Sequence, residues 1–188
     1  MRAPAALVLL VAGIVAWVGP SLAVQPLYLE GITRGPYRGR VVDAETKQPL
    51  AGAAVVAMWD RVRRLPLHSR NEFYAAREVL TDADGHFVLD ARDIEENAPE
   101  ETYLPHFVIY YPGYGFFPRY QVTPQGYIGG IFEGAGATVE LRRLRGREER
   151  LVILDGLPPS VPDEAMVQLL RLINAERGTL GLQPIRVK

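Results

Sequence analysis

Short runs of β-forming residues alternate with compact groups of glycine, proline and aspartate over the middle of this chain. These runs, with one more towards the end, are residues 37–43, 53–59, 78–81, 86–89, 103–111 and 137–141. Strands of this length separated by turn residues are typical of an antiparallel β-sandwich. The pattern therefore predicts a mainly β fold.

The run at residues 53–59, Ala-Ala-Val-Val-Ala-Met-Trp, contains no polar residue. A strand with one solvated face alternates apolar and polar residues, whereas a continuous apolar run is consistent with burial on both faces. We therefore expect this strand to be covered on both sides.

One helix is predicted over residues 163–177 of the tail. Apolar residues recur there at helical spacing, at Met166, Leu169, Leu170 and Ile173, and Gly178 follows as a stop signal. A helix this short is marginal alone in water, so we expect it to dock on the sandwich.

Residues 60–76 interrupt the strand rhythm with a charge cluster, an apolar Leu-Pro-Leu and a polar, aromatic stretch. We expect a long loop or an inserted crossing segment here. Long loops inside compact domains are commonly functional. The segment therefore supplies candidate partner contacts at Arg63, His68, Glu72, Phe73 and Tyr74.

A second candidate surface is aromatic and lies in the loop-like stretch that follows residue 113. Aromatic rings with polar tips suit sugar rings or a protein partner. Packing of the same rings inside the core is the alternative. The candidate contacts with a partner or a glycan are Tyr114, Phe116, Phe117, Tyr120 and Tyr127.

The N-terminus has the pattern of an export signal. Arg2 precedes an apolar run at residues 5–18, and Ser21-Leu22-Ala23 offers the small residues that signal peptidase requires. We expect a signal peptide at 1–23, a linker at 24–36, a sandwich at 37–144 and a tail at 145–188. The protein is then extracytoplasmic, whether periplasmic, secreted or membrane-anchored. Retention of the apolar segment as an anchor is the alternative, and the one route expected to a membrane.

Charge and cysteine content exclude several classes of function. The formal net charge of −1 gives no general attraction to nucleic acid, and the arginines of residues 142–150 are interleaved with Glu148 and Glu149. The chain has no cysteine, which excludes disulfides, thiolate metal sites and a lipoprotein anchor. We expect no nucleic-acid partner.

The turn motifs resemble those of a known family, the carboxypeptidase regulatory-like domain. The resemblance rests on four segments: Gly39-Arg40-Val41-Val42-Asp43-Ala44-Glu45-Thr46, Pro49-Leu50-Ala51-Gly52-Ala53, Thr81-Asp82-Ala83-Asp84-Gly85-His86-Phe87 and Pro112-Gly113-Tyr114. It implies an antiparallel transthyretin-like (prealbumin-like) β-sandwich of about seven strands, here with a C-terminal α-helix. In that family the domain is usually an accessory module. Lys47 stands where the family usually has glycine.

No catalytic set converges in the sequence. His68 and Glu72 lack a partner histidine in register for zinc, and His86 and His106 are isolated. Asp82-Ala83-Asp84-Gly85 is better explained as a hairpin turn, with Gly85 at positive φ, than as a calcium loop. We therefore expect no catalytic residue, no metal and no cofactor.

These observations predict an exported, non-enzymatic binding or scaffold module of the cell envelope that contacts a protein. The partner would be an envelope protein or a polysaccharide. A carbohydrate-binding module that uses the aromatic loop 114–127 is the alternative. An accessory of a metal-dependent hydrolase is the second alternative.

Overall fold

A computed structural model describes residues 35–119, 132, 136–156 and 163–186 of the chain. This part is mainly β, with six strands and three α-helices. The strands are β1 (Tyr37–Asp43), β2 (Ala54–Arg64), β3 (Ser69–Leu80), β4 (His86–Leu89), β5 (His106–Tyr110) and β6 (Ala137–Leu141). The helices are α1 (Arg92–Glu96), α2 (Arg147–Asp155) and α3 (Val167–Thr179), and a 3-10 turn at Asp163–Ala165 precedes α3.

The six strands form two three-stranded sheets that face each other. One sheet has the order β4-β1-β6, in which β1 runs antiparallel to β4 and parallel to β6. The other has the order β3-β2-β5 and is antiparallel throughout. Aromatic rings fill the space between the sheets, with Phe132 packed 4.8 Å from Phe107 and 5.4 Å from Phe87, centroid to centroid. The expected mainly β sandwich is confirmed.

Strand β2 is buried on both faces, as its apolar sequence predicts. Val55, Ala57 and Trp59 lie in the core between the two sheets. Val56 and Met58, which point the opposite way, lie in a second core beneath the helices. The chain is therefore built in three layers, with β2 at the centre of the middle layer.

Helices α2 and α3 form the third layer. Leu169, Leu170 and Ile173 of α3 and Ile153 of α2 are buried against the outer face of the β3-β2-β5 sheet, so the expectation that α3 docks is confirmed. The Glu78 carboxylate on β3 accepts hydrogen bonds from the first free backbone N–H groups of α3, those of residues 168 and 169, at 2.8 and 3.2 Å. This contact fixes the start of α3 on the sheet.

Two features of the helical layer differ from the prediction. Helix α3 continues through Gly178 to Thr179, because its packing against the sheet outweighs the low helix propensity of one glycine. Helix α2 lies in the tail at 145–188, where only the helix over residues 163–177 was predicted. Acidic residues in its first turn and buried Ile153 and Leu154 are the local signals for it.

The expected loop at residues 60–76 is wrong, because these residues continue β2 and β3. The two strands pair without interruption from Ala54↔Leu80 to Arg64↔Ser69, apart from a bulge between Trp59 and Asp60. The expected short strand at residues 78–81 is the end of β3. The backbone N–H and C=O groups of these charged residues form hydrogen bonds between β2 and β3. The amino-acid composition of the segment does not reveal this pairing.

The predicted hairpin turn before β4 is confirmed, and it lies beside the turn that follows β1, at the same end of the sandwich. Gly85 has a φ of +76°, and the Asp82 carboxylate accepts hydrogen bonds from the backbone N–H groups of Asp84 and His86 at 3.0 and 2.8 Å. Lys47, in the turn after β1, has a φ of +59°. This is the left-handed region, where glycine carries no Cβ penalty and lysine does.

We predict that Lys47→Gly stabilises the protein. Removing the Cβ relieves about 1 kcal/mol of backbone strain, whereas the exposed ion pair of Lys47 with Glu140 contributes less than that. Urea unfolding should give a free energy of unfolding higher by about 0.5–1 kcal/mol. The matched control is Ala51→Gly, in the next turn, which should be neutral or destabilising. A loss of stability in Lys47→Gly would contradict the assignment of strain to this turn.

Candidate functional site

The end of the β2–β3 hairpin extends beyond the rest of its sheet. Strand β5 pairs with β2 only as far as Met58. Beyond that point β2 pairs with β3 on one side. On the other side its backbone contacts residues 101–103, and these backbone contacts end at Val62. We call residues 60–73 the hairpin arm and residues 63–70 its tip. Within the described part of the chain, the tip is a two-stranded ribbon that has no third strand beside it and whose residues are mostly exposed.

One face of the hairpin arm carries more positive than negative charge. The strand register places Arg61 opposite Glu72 and Arg63 opposite Arg70. The three guanidinium groups converge on this one carboxylate, with N···O distances of 3.5 Å for Arg61, 3.2 Å for Arg63 and 3.7 Å for Arg70. Three cations and one anion leave a net charge of about +2 on this face.

The other face of the arm is more nearly balanced. Arg64 binds Glu101 through two of its guanidinium nitrogens, Nε and Nη2, with Nε 2.9 Å from Oε2. The hydrogen bonds from Arg64 lower the pKa of Glu101, so the carboxylate stays ionised. This pair joins the arm to the segment before β5.

The turn at the end of the arm presents apolar surface to solvent. The backbone N–H of Leu65 donates to the carbonyl of His68 at 2.8 Å and closes the turn. Leu67 is 96% exposed. An exposed leucine beside a net positive charge combines the two kinds of contact that a protein partner can use.

The five contacts predicted in this segment lie on the arm or at its base, but not on one surface. Arg63 and Glu72 form an ion pair, and His68 lies exposed in the turn. Phe73 pairs with Asp60 across the strands and is half-buried. Tyr74 lies at the bulge, packs against the core and donates its hydroxyl to the carbonyl of Asn97 at 3.0 Å. Tyr74 therefore holds the base of the arm and is not part of its free surface.

Sequence reasoning missed other residues of this surface, namely Arg61, Arg64, Leu67, Arg70 and Glu101. All of them belong to or contact the arm. The available signal was the spacing of Arg61 and Arg63. Residues two apart on a β-strand lie on the same face, so a hairpin would place both arginines on one surface.

The aromatic surface proposed for residues 114–127 is not supported where the structure describes it. Tyr114, Phe116 and Phe117 are buried, with 4%, 6% and 1% exposure. Their rings pack in the two cores, because each is larger and more apolar than the glycines and prolines beside it. This corrects the expectation for these three residues. Tyr120 and Tyr127 lie outside the described residues.

Tyr114 belongs instead to a structural network around Asp43, a carboxylate with 1% exposure. The Tyr114 hydroxyl donates to Asp43 Oδ2 at 2.7 Å, and Arg143 Nη2 donates to the same oxygen at 3.2 Å. The backbone N–H groups of Glu45 and Thr46 donate to Oδ1 at 2.8 and 2.9 Å. The network ties the turn after β1 to the segment after β6.

The charge of Asp43 is stabilised inside this network. Burial alone would raise the pKa of its carboxyl, but hydrogen bonds from Thr46, Tyr114, Glu45 and Arg143 together hold the pKa well below its usual range. In turn, burial and the hydrogen bond to Asp43 raise the pKa of Tyr114 to about 12. Neither group is therefore placed to exchange protons near neutral pH.

Two further observations concern metals and membranes. No group of three or more histidine, aspartate or glutamate side chains in the described part of the chain could hold a metal ion. Among the described residues, no helix has the length and apolar character needed to cross a membrane.

No protein-family model, curated protein or solved structure matches this chain. Function is therefore inferred from the surfaces and buried groups of the chain itself.

We predict that Asp43→Asn is less stable than the wild type at pH 7 by about 2 kcal/mol, because Tyr114 and Arg143 lose a charged acceptor. A carboxyl with a depressed pKa in the folded state contributes its stability above the pKa of the unfolded chain, about 4, and loses it as the pH falls towards the folded pKa. The difference in free energy of unfolding between the wild type and Asp43→Asn should therefore narrow progressively below about pH 4.

Urea unfolding between pH 7 and pH 2 measures this gap. Asp84→Asn is the control, because its carboxylate makes no hydrogen bond within the described residues, and it should follow the wild type. A gap that stays constant down to pH 2 would contradict the role given to the Asp43 charge.

Proposed function

We propose that this chain is a non-catalytic protein-binding module of the cell envelope and that the hairpin arm is its contact surface. Three features support this: the arm extends past the sandwich, it bears excess positive charge on one face, and it ends in an exposed leucine. The proposed partner is a protein with an acidic surface, because charge complementarity both speeds and orients association.

The observation that carries the proposal is the pairing of Arg63 with Arg70. Like charges at directly opposed positions destabilise an antiparallel pair, and both side chains are more than half exposed, at 53% and 56%. Two serines or threonines at these positions would stabilise the ribbon better. An arrangement that works against local stability is expected where the residues serve another purpose, here the recognition of an anionic partner.

The proposed location and family rest on sequence features. The N-terminal pattern of residues 1–23 supports export, and it lies outside the described residues. The carboxypeptidase regulatory-like fold is supported by the position of its motifs, since Gly52, Gly85 and Gly113 all occupy turns with positive φ. An accessory module of that kind would contribute binding and leave catalysis to other proteins.

The double variant Arg63→Ser, Arg70→Ser tests the proposal. It should leave the free energy of unfolding within about 0.5 kcal/mol of the wild type, because it removes both the repulsion between the opposed arginines and their weak, exposed ion pairs with Glu72. It should also lose capture of a protein from envelope extract by the full-length chain. Capture by the wild type should weaken as salt rises from 0.05 to 0.5 M, as expected for screened surface charges.

The matched control is Arg171→Ser, Arg186→Ser, which removes the same charge from exposed positions on and after α3. It should capture the partner as the wild type does. A photo-crosslinker at position 67 should label the same protein, whereas one at position 152, which is also exposed, should not. Equal capture by both double variants would refute the assignment of the arm.

A shortened arm provides an independent check. Val62 and Asn71 are directly opposed, so an Asn-Gly turn in place of residues 63–70 closes the hairpin without disturbing its register. This variant should fold and fail to capture the partner.

A further inference from the structure

The outer face of the β4-β1-β6 sheet contains a depression that the proposed function does not use. Its volume is about 530 Å³. The polar side chains that line it are Arg38 and Arg40 of β1, His86 of β4 and Thr138 of β6. Among the described residues, no aspartate or glutamate lines it.

The strand register brings these side chains together. Arg40 lies directly opposite His86 on one side and Thr138 on the other. Arg38 lies two residues along β1 and therefore on the same face, about 7 Å away along the strand. Directly opposed residues have Cβ atoms about 5 Å apart. Two guanidinium groups, an imidazole and a hydroxyl thus share one small surface.

The wall of the depression depends on Gly136. This residue has a φ of +76°, and a Cβ there would lie 2.1 Å from the carbonyl oxygen of Arg38. No other residue could bring the chain so close to β1. Val88, which is 55% exposed, supplies an apolar contact on the opposite side.

Two acidic groups near the depression, Glu140 and Asp82, are already engaged, whereas the carboxylate of Asp84 makes no hydrogen bond within the described residues. Glu140 accepts from Lys47 at 2.7 Å. The Asp82 carboxylate accepts the turn amides and lies 4.0 Å from the Nδ1 atom of His86. Arg40 donates through Nε to the carbonyl of Asp84 at 2.9 Å, which orients its guanidinium without neutralising it. The side chain of Arg38 makes no hydrogen bond or ion pair within the described part of the chain.

We infer that this depression binds an oxyanion, the carboxylate or phosphate group of a small ligand. Arginine presents several N–H donors in a planar fork that matches the oxygens of such groups. Arg40 is held in place by its contact with Asp84, Arg38 is available to close on the ligand, and Thr138 adds a neutral donor. The site is independent of the hairpin arm, which lies in the other sheet.

NMR titration of the uniformly ¹⁵N-labelled full-length chain tests this inference with two probes, inorganic phosphate and succinate. Binding should be saturable at low salt and should shift amide signals of β1, β4 and β6 around Arg38, Arg40 and His86. A response to phosphate alone would assign a phosphate ligand, and a response to succinate alone a carboxylate ligand. A response to both supports the shared oxyanion chemistry.

Arg38→Ala should weaken binding about tenfold, since it removes a charge-assisted hydrogen bond, and should leave folding unchanged because the side chain of Arg38 makes no hydrogen bond or ion pair within the described residues. Arg171→Ala removes the same charge from an exposed position on α3 and should stay within about twofold of the wild type. Thr138→Val is the second variant and should weaken binding while keeping the shape of the sheet. Absence of saturable shifts, or equal effects of Arg38→Ala and Arg171→Ala, would overturn the inference.

Discussion

The burial of strand β2 on both faces is the constraint on which the rest of the structure depends. Its residues 54–59 are at most 1% exposed. Burying each valine, methionine or tryptophan of this kind contributes roughly 1.5–3 kcal/mol, but only if both faces are covered. One face requires the second sheet and the other requires the helices. The three-layer arrangement therefore follows from one apolar heptapeptide, Ala53 to Trp59.

Two groups of arginines differ in their surroundings, those that bind buried carboxylates and those that lie on the two proposed binding surfaces. Arg143 and Arg150 bind buried carboxylates, those of Asp43 and Glu176. Removing either arginine would leave a buried charge without a partner, which is costly. The arginines of the hairpin arm and of the depression on β1 are exposed and outnumber the acids around them. The excess positive charge on these two surfaces is available to interact with other molecules.

The sequence was sufficient to predict features that depend only on neighbouring residues. The double burial of β2, the positive φ of Gly85 and the existence of α3 all follow from the residues in those segments. Features that depend on distant pairing could not be predicted. Tyr114 and Arg143 meet Asp43 across 71 and 100 residues of sequence, so Tyr114 resembled a surface aromatic. The hairpin arm has no core to face and hence no apolar alternation, so its strands resembled a loop.

The first half of β2, residues 54–59, is buried on both faces, and its second half extends into the exposed hairpin arm. Hydrogen–deuterium exchange of the full-length chain, resolved to single amides, tests this most directly. The paired amides of residues 54–58 should exchange only through global unfolding, and those of residues 63–70 should exchange through local opening and be faster by orders of magnitude. Equal protection of the two segments would show that the arm is covered by other parts of the chain and would contradict its assignment as a free contact surface.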